Sequence, residues 1–300
     1  MDILDQVKLQ IKTYVKQIGD GRSLELLDML ATGKMLRSKL ILKIAGVSET
    51  TINLCAIVEM IHAASLLHDD VIDEADTRRG KPSINAMFDN KTSIMFGDIL
   101  YSKAFTELTT MPQDVAYNVS NAVTLLSVGE MLDVDMGKAF NDDYSKYLDM
   151  IYKKTASLIE AAAKSAASLA GFNQDNFATY GRNLGIAFQM IDDILDITQD
   201  SSTLGKPAMN DFVEGKVTIP YLLTYDKINQ EDKEKLKSLY LKKLSNDEIS
   251  WIKEKMAQTG ALKQSIDLAR KFGLEAIEAI KEENNEALVA IMKDMIEREY

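Results

Sequence analysis

His68-Asp69-Asp70-Val71-Ile72-Asp73 and Ile191-Asp192-Asp193-Ile194-Leu195-Asp196 share one Asp-Asp-x-x-Asp spacing, each inside an apolar, proline-free stretch. In an α-helix, positions i and i+4 lie on one face and i+1 beside them. The spacing therefore predicts Asp69 and Asp73 one turn apart with Asp70 at their flank, and Asp192, Asp196 and Asp193 arranged likewise. Unit charges ~4 Å apart cost about 1 kcal/mol in water and about 4 kcal/mol at an effective dielectric of 20. Leu66, Leu67, Val71 and Ile72 flank the first set, so water relieves the repulsion poorly. A bound divalent cation reverses the sign of that energy, and oxygen-only ligands favour a hard ion, magnesium before zinc. One acidic triplet on a helix is ordinarily a solvated face. The second copy, with the same spacing and the same apolar setting, argues for a site. Magnesium usually shares its shell with water and substrate phosphates, so two such clusters suggest a diphosphate held between two helices.

Only four prolines, Pro82, Pro112, Pro207 and Pro220, interrupt 300 residues rich in Ala, Leu, Lys, Glu and Met. No run of alternating β-branched residues stands out, so the fold class is all-α and a sheet is not expected. Hydrophobic residues make up 46% of the chain, ample for a core. Without a linker or a composition shift, residues 1–300 read as a single domain. A net charge of −11 argues against nucleic acid as a partner. It leaves an anionic small substrate open, because a metal ion and a few placed cations can dominate locally. Cys55 is the sole cysteine, which excludes an internal disulfide and a cysteine-rich zinc site and fits a reducing cytosol. No signal peptide is visible, and no uncharged apolar stretch of about 18 residues is expected to span a membrane. A cytoplasmic location is the resulting expectation.

Taken in order, residues 2–18 carry Ile3, Leu4, Val7, Ile11, Val15 and Ile18 at the spacing of a packing helix, closed by Gly19-Asp20-Gly21. Gly33-Lys34-Met35-Leu36-Arg37 frees backbone amides ahead of a helix and sets Lys34 and Arg37 on one face, an anion clamp of low specificity alone. Residues 49–74 read as one long helix, with His62 seven residues before Asp69 and nearly on its face. A histidine on an apolar face is ordinarily a core residue; beside the acidic cluster, a ligand role for His62 is an equal alternative. The loop with Arg78, Arg79 and Gly80 could pair with the acidic cluster or clamp phosphates. Further helices are predicted over 93–109, 113–139 (with Glu130, Asp133 and Asp135), 143–170 (with Lys153-Lys154-Thr155) and 174–199 (with Phe188-Gln189 before the second cluster). Gly205-Lys206-Pro207 and Glu214-Gly215-Lys216 form a polar, glycine-bearing loop of the kind used as lids. Beyond Pro220 the chain turns helical and charged, with solvated faces.

These motifs, in this order, resemble those of the all-trans isoprenyl diphosphate synthases, the head-to-tail prenyltransferases, and the pattern is most similar to long-chain, octaprenyl-type members. The resemblance implies a single large bundle of about a dozen helices around a deep central cavity, in a homodimer. It implies that Asp69, Asp73 and Asp192 bind magnesium, up to three ions with the allylic diphosphate, supported by Asp70, Asp193 and Asp196. Lys34, Arg37, His62 and Arg79 would hold isopentenyl diphosphate. Arg78, Lys154, Thr155, Gln189, Lys206 and Lys216 would contact the allylic diphosphate, with Lys154 and Lys206 in the catalytic set. The product would leave through a transient membrane contact. Thr32, where a second glycine is common, and Ser38, where proline often stands, depart from the pattern and bear on loop shape. Ala64 and Ser65, one turn before Asp69, are small where short-chain members often carry a bulky residue, so the resemblance implies a tunnel open at that level. Val119, Val123 and Leu126 are candidates for its floor. A farnesyl or geranylgeranyl synthase is the alternative.

Three rivals are weighed against this reading. A class I terpene cyclase usually carries a different second metal motif and needs no second diphosphate site. A non-catalytic regulatory subunit often lacks complete aspartate motifs. A di-iron bundle needs paired Glu-x-x-His motifs; Glu59-x-x-His62 supplies one, and no histidine lies on another predicted helix.

Overall fold

The computed structural model describes residues 2–31, 33–199 and 209–297. These are overwhelmingly α-helical and fall into two compact units, Met1–Val123 with Ala161–Ala178 and Thr124–Glu160 with Thr179–Tyr300.

The first unit contains α1 (Ile3–Gln17), α2 (Gly21–Met29), α3 (Leu36–Ala45), α4 (Glu49–Ile72), α5 (Ile84–Met87) and α6 (Asn90–Leu108). Ser48 starts α4 with a capping box. Its hydroxyl accepts the Thr51 N–H at 3.1 Å, and its own N–H donates to Thr51 Oγ1 at 2.8 Å, satisfying donors that a helix start otherwise orphans. Leu54, Ile57, Val58, Ile61 and Ala64 are fully buried. A helix apolar around most of its circumference needs neighbours on several sides, here α1, α3 and α6. By length and composition alone α4 could cross a bilayer, which the sequence reading did not anticipate; most of its apolar stretch is buried inside the protein. Along α6, Ser93 donates to the Leu67 carbonyl at 2.8 Å, and bare Gly97 gives the His68 ring its space.

A two-residue antiparallel ladder pairs Thr77–Arg78 with Lys81–Pro82, where no sheet was expected. Its turn explains it. Arg79 and Gly80 both adopt positive φ, +54° and +74°, the signature of a two-residue type I′ hairpin. Arginine in that conformation is strained, and such strain concentrates at functional sites.

The second unit takes the later parts of α7 (Gln113–Gly137) and α10 (Gln174–Thr198), with α8 (Tyr144–Ile151) and the start of α9 (Ser157–Ala170). It continues through α11 (Asn210–Val213), α12 (Ile219–Lys227), α13 (Gln230–Leu239), α14 (Asn246–Thr259), α15 (Ala261–Ala279) and α16 (Glu286–Ile296). Its core joins Met190, Ile194 and Ile197 of α10 to Phe212, Ile219, Tyr221, Ile252 and Met256. The single helix predicted over 143–170 is broken: Tyr152–Ala156 form a π-turn between α8 and α9. The extra residue of an i→i+5 turn leaves four successive residues, 152–155, part-exposed, and buries the next four. Hydrophobic periodicity does not reveal a one-residue insertion.

Candidate active site

The first aspartate cluster straddles the end of α4. Asp73 is the cap residue, its N–H donating to the Asp69 carbonyl at 2.8 Å. The second occupies the last two turns of α10. Helix C-termini carry partial negative charge from their unpaired carbonyls, so both clusters sit where added carboxylates are least welcome and a cation most welcome. Within the first, Asp70 is buried and Arg78 grips it through Nε at 2.6 Å and through Nη2. Burial raises the Asp70 pKa, and the guanidinium partly offsets the shift. Asp69 is half-buried and Asp73 exposed.

Beside this cluster lies a group of cations. Arg37, Arg79 and Arg78 all press on His62 electrostatically, and burial with their charge drives its pKa well below the usual value. His62 is therefore neutral at pH 7, while the arginines keep an excess of positive charge suited to an anion. The Arg79 guanidinium donates to the Ala31 carbonyl at 3.0 Å and lies where a side chain at Gly33 would be. The glycine of the Gly-Lys-x-x-Arg motif is thus there to let an arginine 46 positions later cross it. Ser38 donates its N–H at 3.2 Å and its hydroxyl at 2.8 Å to Glu59. A proline there would have no N–H to give, so Ser38 adds an anchor. Thr32 lies outside the described residues, and Lys34 is exposed.

The second cluster is held differently. Asp193 and Asp196 are buried, and Asp192 is exposed. Asp193 accepts from the Tyr147 hydroxyl at 2.5 Å and Gln189 Nε2 at 2.9 Å, both neutral donors. Burial, then the Asp211 charge, lifts its pKa well above the carboxylate range. Asp196 accepts the Met209 N–H on its carbonyl at 2.9 Å and the Asp211 N–H on its carboxylate at 3.2 Å. Gln189 also accepts from Thr155 Oγ1 at 3.0 Å, and Lys154 Nζ lies 2.8 Å from Glu130 and 2.5 Å from Asp133.

Residues 24–256 match the family model described as polyprenyl synthetase. The chain belongs to that family. It is similar to octaprenyl pyrophosphate synthase of Helicobacter pylori, with a TM-score of 0.93 and 46% identity over 99% of this chain and 100% of that one. A polyprenyl synthase of Caulobacter crescentus, solved with calcium and isoprenyl diphosphate, gives 0.89 at 30% identity, covering 99% and 95%. The short chain isoprenyl diphosphate synthase of Methanothermobacter thermautotrophicus is 32% identical over 286 residues, 90% of this chain and 88% of that protein. This polyprenyl synthetase is accordingly a trans-prenyltransferase, with relatives among both long- and short-chain synthases.

Of the residues singled out in the polyprenyl synthetase sequence, Arg37, His62, Arg78 and Arg79 come together in the first unit, and Thr155, Gln189 and Asp193 in the second, which also holds Lys154 on Glu130 and Asp133 and Asp196 on Asp211. Lys216 is tied by its N–H to the Asp211 carbonyl at 2.7 Å; Lys206 lies outside the described residues. Ala64 and Ser65 are buried, as are Val119, Val123 and Leu126. The sequence assigns no role to Glu130, Asp133, Tyr147 or Asp211, and weighs Glu59 only as half of a di-iron pair. The i, i+3 spacings Glu59-x-x-His62 and Glu130-x-x-Asp133 were the available signals; nothing local marks Tyr147 or Asp211.

Proposed function

We propose that this enzyme catalyses magnesium-dependent head-to-tail (1′-4) condensation of isopentenyl diphosphate with an allylic diphosphate, repeated to an octaprenyl-like product for quinone side chains. One observation carries the metal part. In each cluster the second aspartate is buried and bonded by protein donors, while Asp69, Asp73 and Asp192 are the three more open to solvent. These oxygen-only donors fit a hard ion, which would share its shell with water and diphosphate oxygens. When bound, such ions neutralise the leaving diphosphate. Lys154, Thr155, Gln189 and Lys216, with Lys206, orient and stabilise that leaving group. Arg37, Arg79 and neutral His62, with Lys34, receive isopentenyl diphosphate, whose double bond attacks the ionised allylic carbon. The proton released passes to the departing diphosphate, so no side-chain base is assigned.

The long product rests on Ala64 and Ser65, too small to stop a chain at the turn before Asp69; one helical turn, about 5.4 Å, is roughly an isoprene unit of depth. Similarity to a short-chain synthase favours farnesyl or geranylgeranyl diphosphate as the second reading. Chromatography of products from the wild type and Ala64→Phe decides. Six or more isoprene units, sharply shortened by the substitution, are expected; a wild-type product of three units, or unchanged length in Ala64→Phe, overturns the long-chain assignment. The proposal extends to a cytoplasmic homodimer that releases product through a transient membrane contact. Exposed Met95 and Phe105 on α6 and Tyr117 on α7, all in the first unit, support a partner surface, which sedimentation tests.

A further inference from the structure

We propose that Glu130 and Asp133, with Gly129 and Gly185, are positioning residues for Lys154, the cation that the proposed function sets against the allylic diphosphate; the inference rests on that reading. Lys154 and Thr155 stand on the π-turn, and the two glycines flank it. A methyl group on Gly129 would collide with the Lys154 backbone, and one on Gly185 with that of Ala156. Neighbouring α7 and α10 thus press on the turn from backbone to backbone, at the residues around Lys154. Arg182 covers the turn's first residue, lying 5.4 Å from the Tyr152 ring centre and paired twice with Glu160 at 3.0 Å.

The side chain is fixed as firmly as its backbone. A lysine stem has many rotamers. Two carboxylates one turn apart on α7 confine this one: Nζ lies 2.8 Å from Glu130 Oε2 and 2.5 Å from Asp133 Oδ2, and all three side chains are four-fifths or more buried. An ammonium has three N–H donors. Asp133 accepts one of them and Glu130 adds an ion pair on the same side, so the remaining N–H donors face away from the carboxylates, toward where a phosphate oxygen would sit. The local charge sum is negative, so the pair does more than hold a stray lysine: it keeps Lys154 aimed before the substrate arrives, where free lysine would be drawn to any nearby anion. Misplacement by about 1 Å can cost about a hundredfold in rate.

The test is a double-mutant cycle on the full chain, with farnesyl diphosphate and isopentenyl diphosphate as substrates. Asp133→Asn should lower kcat by about tenfold to a hundredfold and raise KM for farnesyl diphosphate, with KM for isopentenyl diphosphate unmoved. Added to Lys154→Gln, it should cost nothing further, since its effect passes through the lysine. Glu130→Gln supplies the same cycle should Asp133→Asn not fold. Additive losses, or unchanged kinetics in both carboxylate variants while Lys154→Gln is impaired, overturn the positioning role alone. Normal kinetics in Lys154→Gln would instead bring down the underlying assignment of Lys154 to the allylic site.

Discussion

The two aspartate clusters share a spacing and differ in how the chain restrains them. In the first, the buried Asp70 is matched by a cation, Arg78, brought by the hairpin that follows α4. In the second, the buried Asp193 is matched by a phenol and an amide, Tyr147 and Gln189. The first is therefore nearly neutral at its buried position and surrounded by spare arginines. At the buried position of the second, neutral donors stand in place of a cation, and the Asp211 charge raises the Asp193 pKa further. One motif thus serves two electrostatic settings, one whose buried carboxylate faces a guanidinium, the other whose buried carboxylate faces neutral donors. The difference comes from residues outside the motif.

The largest effect should come from the solvent-reaching members. Asp69→Ala and Asp192→Ala should each cut turnover by about a hundredfold or more, with folding stability little changed because a like charge is removed. Near-normal turnover of either variant at limiting magnesium would refute its part in holding the ion. Stability separates the clusters at the next level. Arg78→Met leaves a buried carboxylate without its cation and should cost about 2–3 kcal/mol, less than a fully buried pair because the arginine side chain is 33% exposed. Tyr147→Phe removes one neutral donor while Gln189 remains, at about 1 kcal/mol. Urea unfolding at pH 7 reads both, and equal losses would erase the distinction.

The all-α class and most long helices before Pro220 were legible because proline-free apolar periodicity survives in one dimension; beyond it the helices were legible only as a class, because their charged composition blurs the boundaries. The motif residues were legible because their chemistry requires charge at helical spacing. What stayed hidden lies at longer range or smaller scale. Tyr147 reaches Asp193 across 46 positions, and Asp211 gives its N–H to Asp196 across 15, with no local sign of either. The π-turn adds one residue to a helix whose composition reads as uniform. The Arg79-Gly80 hairpin escaped because its turn carries arginine where asparagine or aspartate is the usual signal. Ser38 read as a departure from a pattern until its two bonds to Glu59 showed what it holds.

The smallest effect tests the surplus of cations beside the first cluster. His62 and His68 are the only histidines in the chain, so ring-proton NMR with His68→Gln as an assignment control follows His62 alone. Burial first, then Arg37, Arg79 and Arg78, depress its pKa. Arg37→Met should therefore move the titration back toward 6.5 further than Arg78→Met does, and neither should restore it fully because burial remains. The consequence for stability has a definite sign. Above about 6.5 His62 is neutral folded or unfolded and contributes no pH dependence. Below that, the unfolded chain takes up a proton that the folded one resists, so stability falls as pH falls, until the folded pKa is reached. His62→Gln should flatten that part of the curve. Inorganic pyrophosphate, if it settles among these arginines, should cancel part of their field and raise the His62 pKa. A His62 that titrates normally in the free protein would mean that the arginines do not act on it, and the contrast between the two clusters would reduce to Arg78 alone.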